Sequence, residues 1–261
     1  MCRCQSCSLV FTYPQPLKKA VTSHNTEVFN SEKELLGRTS IFEKEYARAQ
    51  KHVREVMRFK PGGKLLDIGC SYGILVKAAK DLGFDARGVE PTKRAASYAA
   101  KRLHLSVIHG TVETASFAKN SFDVITLYDV LEHIPDFKKF LKEIRRILKS
   151  DGILVIQSPN VDSFAFRLLK TRWNWLLVPQ HLWHFSGRSL THVLADAGFS
   201  VIWKTTEDNP YDFASNLKST LSVRGVRYAV YLAVYGAIAA GTKIWSRMGR
   251  GGLIRVYAEK T

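Results

Sequence analysis

Residues 65–73 join a short apolar run, an acid and a glycine-containing turn, and this combination limits the folds open to the chain. LLDI at 65–68 is typical of a buried strand, GCSYG at 69–73 follows it, and Ile74–Lys80 has helical apolar spacing. A glycine turn lets backbone N–H groups approach a ligand, and the start of the next helix adds positive partial charge. The order strand, turn, helix therefore predicts an α/β domain whose turn suits a carboxylate or phosphate.

Glycine spacing separates two kinds of nucleotide ligand. A dinucleotide fingerprint has glycines at the first, third and sixth positions of the turn. Here these positions are Gly69, Ser71 and Ile74, so pyrophosphate binding, and with it a nicotinamide-dependent oxidoreductase, is disfavoured. Glycines that only tighten the turn remain the structural alternative.

A second strand, Ala86–Glu90, ends in an acid about 20 residues after the turn, where a carboxylate can accept hydrogen bonds from ribose hydroxyls. Glu90 is therefore the ribose candidate, and a solvated glutamate at a strand end is the alternative. Pro91 suits the first turn of a helix predicted over Thr92–Leu103. A third strand is predicted over Leu105–His109.

The strings SFDVITLYDVLEHIPD at 121–136 and LKSDGILVIQSPN at 148–160 supply a fourth and a fifth strand. Together with the D-x-G-x-x-x-G turn, they resemble the class I S-adenosylmethionine-dependent methyltransferases over roughly residues 64–199. The resemblance implies an α/β, Rossmann-like sheet of seven strands in the order 3-2-1-4-5-7-6, with helices on both faces. Phe199–Thr205 and Leu253–Glu259 would be the sixth and seventh strands, the last of them antiparallel.

The resemblance also implies S-adenosyl-L-methionine as cofactor. The glycine turn would hold its amino-acid end, Glu90 its ribose, and the segment after the third strand its adenine. Cys70 would be the small residue that the turn needs, without thiol chemistry. The cofactor-binding residues implied are Asp67, Gly69, Cys70, Ser71, Gly73, Glu90, Pro91, Thr111, Val112 and Tyr128.

The D-x-x-E-H spacing at 129–133 places three candidate metal ligands on one face of a helical turn. Quinone-pathway O-methyltransferases carry a similar acid-x-x-E-H turn that holds a divalent metal, which implies Asp129, Glu132 and His133 as ligands here. The first acid of that group is usually Glu, and Asp129 has a shorter arm. The favoured interpretation is that Glu132 and His133 pair with neighbouring groups and fix the turn, so a divalent metal is not the favoured expectation.

PQHLWHFS at 179–186 contains two histidines, and histidine is the natural general base near neutral pH. The string resembles the E-H-L-x-Y-x-S segment of deoxysugar C-methyltransferases, whose histidine faces the substrate. Gln180 replaces the acid and His184 the tyrosine. His181 is the base candidate, with Asp129 and His184 as further catalytic candidates, while a structural role for both histidines stays open.

The N-terminal Cys4-x-x-Cys7 resembles one knuckle of the small zinc ribbon that often precedes this type of domain. A structural zinc site needs four ligands, usually from two such knuckles. Cys2 could add a third, so Cys4 and Cys7 are interpreted as a vestigial zinc knuckle.

The chain divides into an N-terminal extension at 1–39, a methyltransferase domain at 40–208 plus 249–261, and an insertion at 209–248. A helix predicted over Ser40–Arg58 would cap the sheet and help to close the cofactor pocket. Within the insertion, Tyr228–Thr242 is free of charge but, at 15 residues, shorter than the roughly 20 that span a bilayer. Its flanks are basic, with Arg224, Arg227, Lys243, Arg247 and Arg250. A lid, a dimer contact and an amphipathic membrane-interface helix all remain open for it, as do a monomer and a homodimer.

The net charge of +16 attracts anionic partners, but the sequence contains no nucleic-acid reader motif, so nucleic acid is not favoured. Four cysteines and the lack of a leader predict a cytoplasmic protein, with peripheral membrane contact left open.

The predicted function is methyl transfer to an oxygen or carbon nucleophile of a sugar, polyprenyl-linked or phenolic small molecule. The alternative is a catalytically silent module that attaches to a membrane or partner through its basic insertion. The ribose acid and the glycine turn argue against it.

Overall fold

The strands expected from the sequence assemble into one large sheet. The computed structural model describes residues 1–16, 39–208, 238 and 240–261. The described strands are β1 (Cys2–Arg3), β2 (Val10–Phe11), β3 (Lys64–Ile68), β4 (Asp85–Glu90), β5 (Val107–His109), β6 (Phe122–Tyr128), β7 (Leu148–Pro159), β8 (Trp183–His184), β9 (Phe199–Glu207) and β10 (Leu253–Lys260). The helices are α1 (Thr39–Met57), α2 (Ile74–Asp81), α3 (Lys93–Arg102), α4 (Phe137–Ile147), α5 (Phe164–Leu169) and α6 (Gly187–Asp196).

Within the described residues, seven strands form a sheet in the order β5-β4-β3-β6-β7-β10-β9. Strands β3 to β7 pair in parallel, and β10 is antiparallel to both of its neighbours. Numbered along the chain, this is the predicted order 3-2-1-4-5-7-6, which is confirmed. The order reverses between β3 and β6, and ligands of open α/β sheets bind beyond the carboxyl ends of the strands at such a point.

Helices cover both faces of the sheet because each presents an apolar stripe to it. Ala49, Val53 and Val56 of α1 recur at helical spacing and join the core on the face that also carries α2 and α3. The long apolar stripe of α4 and that of α6 fill the core on the opposite face. The strand β6 is buried over almost its whole length, so the sheet centre is enclosed between two helical layers.

Two boundaries differ from the sequence expectations. Helix α3 begins at Lys93 with Thr92 as its N-cap, so Pro91 precedes the helix instead of lying in its first turn. Strand β5 begins at Val107 rather than Leu105, because the amide of Leu105 donates to the carbonyl of Ala99 and closes the end of α3.

The N-terminal residues form a second, small sheet with the segment that follows β7. Strands β1, β2 and β8 are antiparallel, and β2 places Val10 opposite His184. Cys2, Cys4 and Cys7 are free thiols, and among the described residues they form no group of three or more metal-ligand side chains. The zinc-knuckle interpretation therefore gains no third ligand from this part of the chain.

Most of the predicted insertion, residues 209–237 and 239, lies outside the described residues. Residues 240–247 are helical, and the Trp245 ring stacks on the Phe164 ring of α5 with centroids 4.6 Å apart. In the part of the chain that the structure describes, no helix is both long and apolar enough to cross a membrane.

Candidate active site

The glycine turn after β3 is built from backbone conformations that favour glycine. Gly69 has φ 71° and Gly73 has φ 80°. A Cβ atom on Gly69 would lie 2.6 Å from Cγ2 of Val130, and one on Gly73 would lie 2.7 Å from Cδ1 of Leu105. Both the positive φ and the close neighbouring side chain therefore disfavour a larger residue at each position. The turn places the start of α2 at the edge of the sheet where β3, β4 and β6 end.

Glu90 connects this turn to the end of β4. Its Oε2 accepts a hydrogen bond from the amide of Ser71 at 2.9 Å, and its Oε1 accepts one from the amide of Thr92 at 2.7 Å. The residue is 2% exposed but lines the cavity described next. Because a carboxylate oxygen can accept more than one hydrogen bond, both oxygens keep capacity for a ligand hydroxyl.

A cavity of about 710 Å³ opens at the carboxyl ends of β3, β4 and β6. One side of it is formed by the glycine turn, Glu90 and the segment after β5, and the other by the segments after β6 and around residue 177. The predicted site residues that line it are Gly69, Glu90, Pro91, Thr111, Val112, Asp129 and His133. The structure thus brings residues from both halves of the predicted site to one cavity.

Other predicted cofactor residues lie behind the cavity wall. Asp67 is buried in the sheet, where its Oδ1 accepts a hydrogen bond from Thr126 Oγ1 at 2.7 Å, and burial raises its pKa to about 7. Cys70 lies against Gly88, at which an added Cβ would meet its sulfur at 2.4 Å, and burial raises the pKa of the thiol. The Tyr128 ring stacks on the His52 ring, with centroids 5.0 Å apart. Together with Ser71 and Gly73, these residues support the wall rather than form it.

Asp129 follows β6 and lines the cavity. It adopts φ 56°, its amide donates to the carbonyl of Gln157, and its carboxylate accepts a hydrogen bond from Gln157 Nε2 at 3.2 Å. Burial raises its pKa to about 6, although the positive charge of Arg48 opposes that shift. Gln157 thus contacts both the backbone and the carboxylate of Asp129 and fixes the orientation of this carboxyl group in the cavity wall.

Gln157 is in turn held by Arg255, which the sequence analysis did not single out. Arg255 is 1% exposed and donates to Gln157 Oε1 at 2.9 Å and to Glu207 at 3.0 Å. It also contacts His52 Nε2 at 2.8 Å and pairs with Glu55. The sequence feature that could have indicated this role is a single arginine within the apolar run of β10, in which the adjacent residues Ile254 and Val256 are buried.

His133, not His181, is the histidine that lines the cavity within the described residues. The two rings meet edge to face with centroids 4.6 Å apart, and His181 is 2% exposed behind His133. Burial lowers the pKa of His133 and lowers that of His181 to about 3. His184 lies in β8 of the small N-terminal sheet, where its Nε2 is 3.1 Å from Thr12 Oγ1, and burial lowers its pKa to about 4.

The predicted ligand set Asp129, Glu132 and His133 is not the set that the structure brings together. One ligand atom from each of Glu132, His133 and His181 lies within 4.8 Å of the other two, whereas Asp129 is bonded to Gln157. Of the two residues expected to pair with neighbours and fix the turn, His133 has its Nδ1 at 3.2 Å from the carbonyl oxygen of Gln180. For Glu132, whose fully buried carboxyl group lies beside Ser158, the expectation stays a prediction. Burial, and next the charge of Asp129, raises the pKa of Glu132 well above its ordinary value.

Comparison with known proteins connects this geometry to a family. The sequence model of a family described as a methyltransferase domain matches residues 42–203, which is more than half of the chain. The ubiquinone biosynthesis O-methyltransferase of Glaesserella parasuis is 32% identical over 118 residues, covering 41% of this chain and 50% of that protein. The chain therefore spans about half the length of the curated relatives it matches.

Solved structures agree in fold. A SAM-dependent methyltransferase from Archaeoglobus fulgidus superposes with a TM-score of 0.61 at 20% identity, covering 89% of this chain and 99% of that one. The 1,6-didemethyltoxoflavin-N1-methyltransferase of Burkholderia thailandensis, solved with S-adenosylhomocysteine, gives a TM-score of 0.59 at 14% identity, with coverage of 99% and 97%. At these identities, the likeness supports the fold.

Proposed function

This chain belongs to the methyltransferase domain family, and we propose that it transfers a methyl group from S-adenosyl-L-methionine to a hydroxyl oxygen of a small molecule. The observation that carries the proposal is the position of Glu90. It is fixed by the glycine turn on one side and lines a cavity on the other. A catalytically silent module has no need of an acid held in that place.

The cofactor would occupy the side of the cavity formed by the glycine turn. The ribose hydroxyls would donate to Glu90, and the adenine would lie against Thr111 and Val112, both on the wall. The amino-acid end would approach Gly69, where an added Cβ would meet Val130 and where a backbone without a side chain permits close contact. Asp67, Cys70, Ser71, Gly73 and Tyr128 would hold this arrangement from behind.

The acceptor would enter from the opposite side, lined by Asp129, His133, Leu177 and Gln180. Methyl transfer is a displacement at the sulfonium carbon, so alignment of the oxygen with the methyl group is the main contribution of the protein. A hydroxyl acceptor must also lose its proton. We place that proton loss at the His133 end of the cavity, with His181 behind it as a positioning residue.

The names of the curated relatives and the composition of the wall support a phenolic acceptor. The similar proteins are named ubiquinone biosynthesis O-methyltransferases, and the acceptor side combines apolar Val130, Ile134 and Leu177 with a few polar groups. A phenolic hydroxyl on a largely apolar molecule fits such a wall. Sugar nucleotides and polyprenyl-linked intermediates are the comparison substrates for an acceptor screen.

Calorimetry with S-adenosylhomocysteine tests the cofactor half. Glu90→Gln should weaken binding by about tenfold, because replacing an ionised acceptor removes one charge-assisted hydrogen bond, on the order of 1.5 kcal/mol. The amide can still accept from one backbone amide, so the turn should stay folded. Glu43→Gln, at an exposed position of α1, is the matched control and should bind as the wild type does. Equal affinities for the two variants would remove Glu90 from the cofactor site.

Residues 209–248 are proposed as an attachment element beside the domain formed by 40–208 and 249–261, with 1–39 as the extension. The helix at 240–247 exposes apolar Ile244 (61%), with Met248 (68%) directly after it and basic Lys243 and Arg247 nearby. Apolar side chains among basic ones suit the surface of an anionic membrane.

Wild-type protein should therefore sediment with vesicles of anionic phospholipid, less with neutral vesicles, and less as salt rises. Ile244→Asp/Met248→Asp should reduce this binding severalfold. Leu168→Asp, an equally exposed apolar position on α5 (55%), is the control and should leave the binding close to wild type. Equal sedimentation with both vesicle types, or no effect of the double substitution, would contradict membrane attachment through this helix.

A further inference from the structure

The N-terminal residues reach the acceptor side of the cavity through β8. Strand β2 pairs antiparallel with β8, although β2 lies outside residues 42–203, which the methyltransferase domain family matches. The segment 177–182 leads directly into β8, and its residues Leu177 and Gln180 line the cavity. A part of the chain that the family domain does not include thus contacts the segment that forms the acceptor wall.

Thr12, directly after β2, makes the contacts that carry the inference. The residue is 6% exposed, its amide donates to the carbonyl of Leu182 at 3.0 Å, and its hydroxyl donates to the carbonyl of His181 at 2.8 Å. Nε2 of His184 is 3.1 Å from the same hydroxyl oxygen. A threonine hydroxyl has one hydrogen and a carbonyl only accepts, so Nε2 of His184 is the donor toward Thr12. Loss of the His184 ring would therefore leave the bond from Thr12 to His181 in place.

The same segment also contacts the turn after β6. The amide of Leu182 donates to the carbonyl of Glu132 at 2.9 Å, and the His181 ring meets the His133 ring with centroids 4.6 Å apart. The two residues whose carbonyls accept from Thr12 are therefore the ones that contact this turn. A displacement of the segment away from Thr12 would be transmitted to His133.

We propose that Thr12 is a positioning residue for methyl transfer, which holds the segment 177–182, and through it His133, in the arrangement that the acceptor needs. The inference rests on the proposed function, because it assigns this side of the cavity to the acceptor. The acceptor oxygen must be aligned with the methyl group, and a displacement of about 1 Å can cost about a hundredfold in rate. Thr12 is not among the described residues that line the cavity, so it acts through the wall and touches no reacting atom.

A set of variants separates this role from a general contribution to folding. Thr12→Val keeps the shape of the side chain and the backbone bond to Leu182 but loses the hydroxyl, whereas Thr12→Ser keeps the hydroxyl. Thr191→Val is the matched control, because it removes a threonine hydrogen bond of the same 2.8 Å length, to the carbonyl of Gly187 in α6.

Hydrogen–deuterium exchange of peptides from 174–184 measures the order of the segment without turnover. Thr12→Val should speed exchange in these peptides by about tenfold, on the scale of one lost hydrogen bond. Thr12→Ser and Thr191→Val should exchange there as the wild type does.

Initial rates with a phenolic acceptor measure the consequence for catalysis. They are expressed per S-adenosylhomocysteine-binding site, counted by calorimetry, so that unfolded protein does not enter the comparison. Thr12→Val should lower kcat/KM for the acceptor by about tenfold or more, while S-adenosylhomocysteine affinity stays within about twofold, because the cofactor side of the cavity is unchanged. Thr12→Ser should restore most of the loss, and Thr191→Val should match the wild type.

Unchanged exchange in Thr12→Val would overturn the inference, as would faster exchange with unchanged acceptor kinetics. An equal kinetic loss in Thr191→Val, or loss of S-adenosylhomocysteine binding in Thr12→Val, would make Thr12 a residue of the fold in general and would also overturn it. Each of these results leaves the proposed function standing. A wild-type chain that binds S-adenosylhomocysteine but methylates no acceptor in the screen would instead refute the proposed function, and this inference with it.

Discussion

Arg255→Met should lower the free energy of unfolding by about 3 kcal/mol or more, because the buried guanidinium is the shared partner of buried Gln157 and of two partly buried acids, Glu55 and Glu207. Arg255 is 1% exposed and bonds Gln157, Glu207 and Glu55. Methionine fills a similar length, so the loss reflects mainly the acids and the amide oxygen that are left unpaired. Equilibrium urea unfolding measures the effect.

The control for this variant is Arg48→Met. Arg48 also pairs with Glu207, at 3.1 Å, but its side chain is 40% exposed, and exposed ion pairs contribute about 1 kcal/mol or less. Adding Glu207→Gln to Arg255→Met should recover part of the loss, because it removes one of the charges left behind. Equal losses in Arg255→Met and Arg48→Met would show that the buried contacts of Arg255 add no more to stability than an exposed ion pair does.

Local pattern sufficed to predict the individual strands and the glycine turn because these follow from periodicity and short-range spacing, whereas the strand order was implied by the family resemblance. An apolar run ending in Asp67, two glycines four residues apart and an acid after the next strand all lie within thirty residues of one another. The parallel order then brings Gly69, Glu90 and Asp129 to a single edge, as the resemblance implied.

Long-range side-chain contacts were not predictable in the same way. Arg255 meets partners 98 and 203 residues away in sequence, and no local pattern encodes that meeting. The placement of His133 in front of His181 depends on how the segment before β8 folds across the turn after β6, with the amide of Leu182 donating to the carbonyl of Glu132. The small sheet of β1, β2 and β8 consists of two-residue strands, which are too short to show alternation.

His133, and not His181, lines the cavity in the described part of the chain, and substitution of single histidines tests the proposal that proton loss occurs beside it. His133→Ala should lower turnover by about a hundredfold or more while S-adenosylhomocysteine affinity stays within about twofold, because the ring lines the acceptor side and not the cofactor side.

His184→Ala is the matched control. Its ring contacts Thr12 Oγ1 behind the cavity, so its loss should lower stability and leave turnover of the folded enzyme near wild type. The measurement is initial-rate kinetics with a phenolic acceptor found in the screen, beside calorimetry of each variant. A His133→Ala enzyme that keeps full turnover would place proton loss elsewhere. Loss of turnover in His184→Ala without loss of stability would instead restore the role that the sequence pattern suggested for that residue.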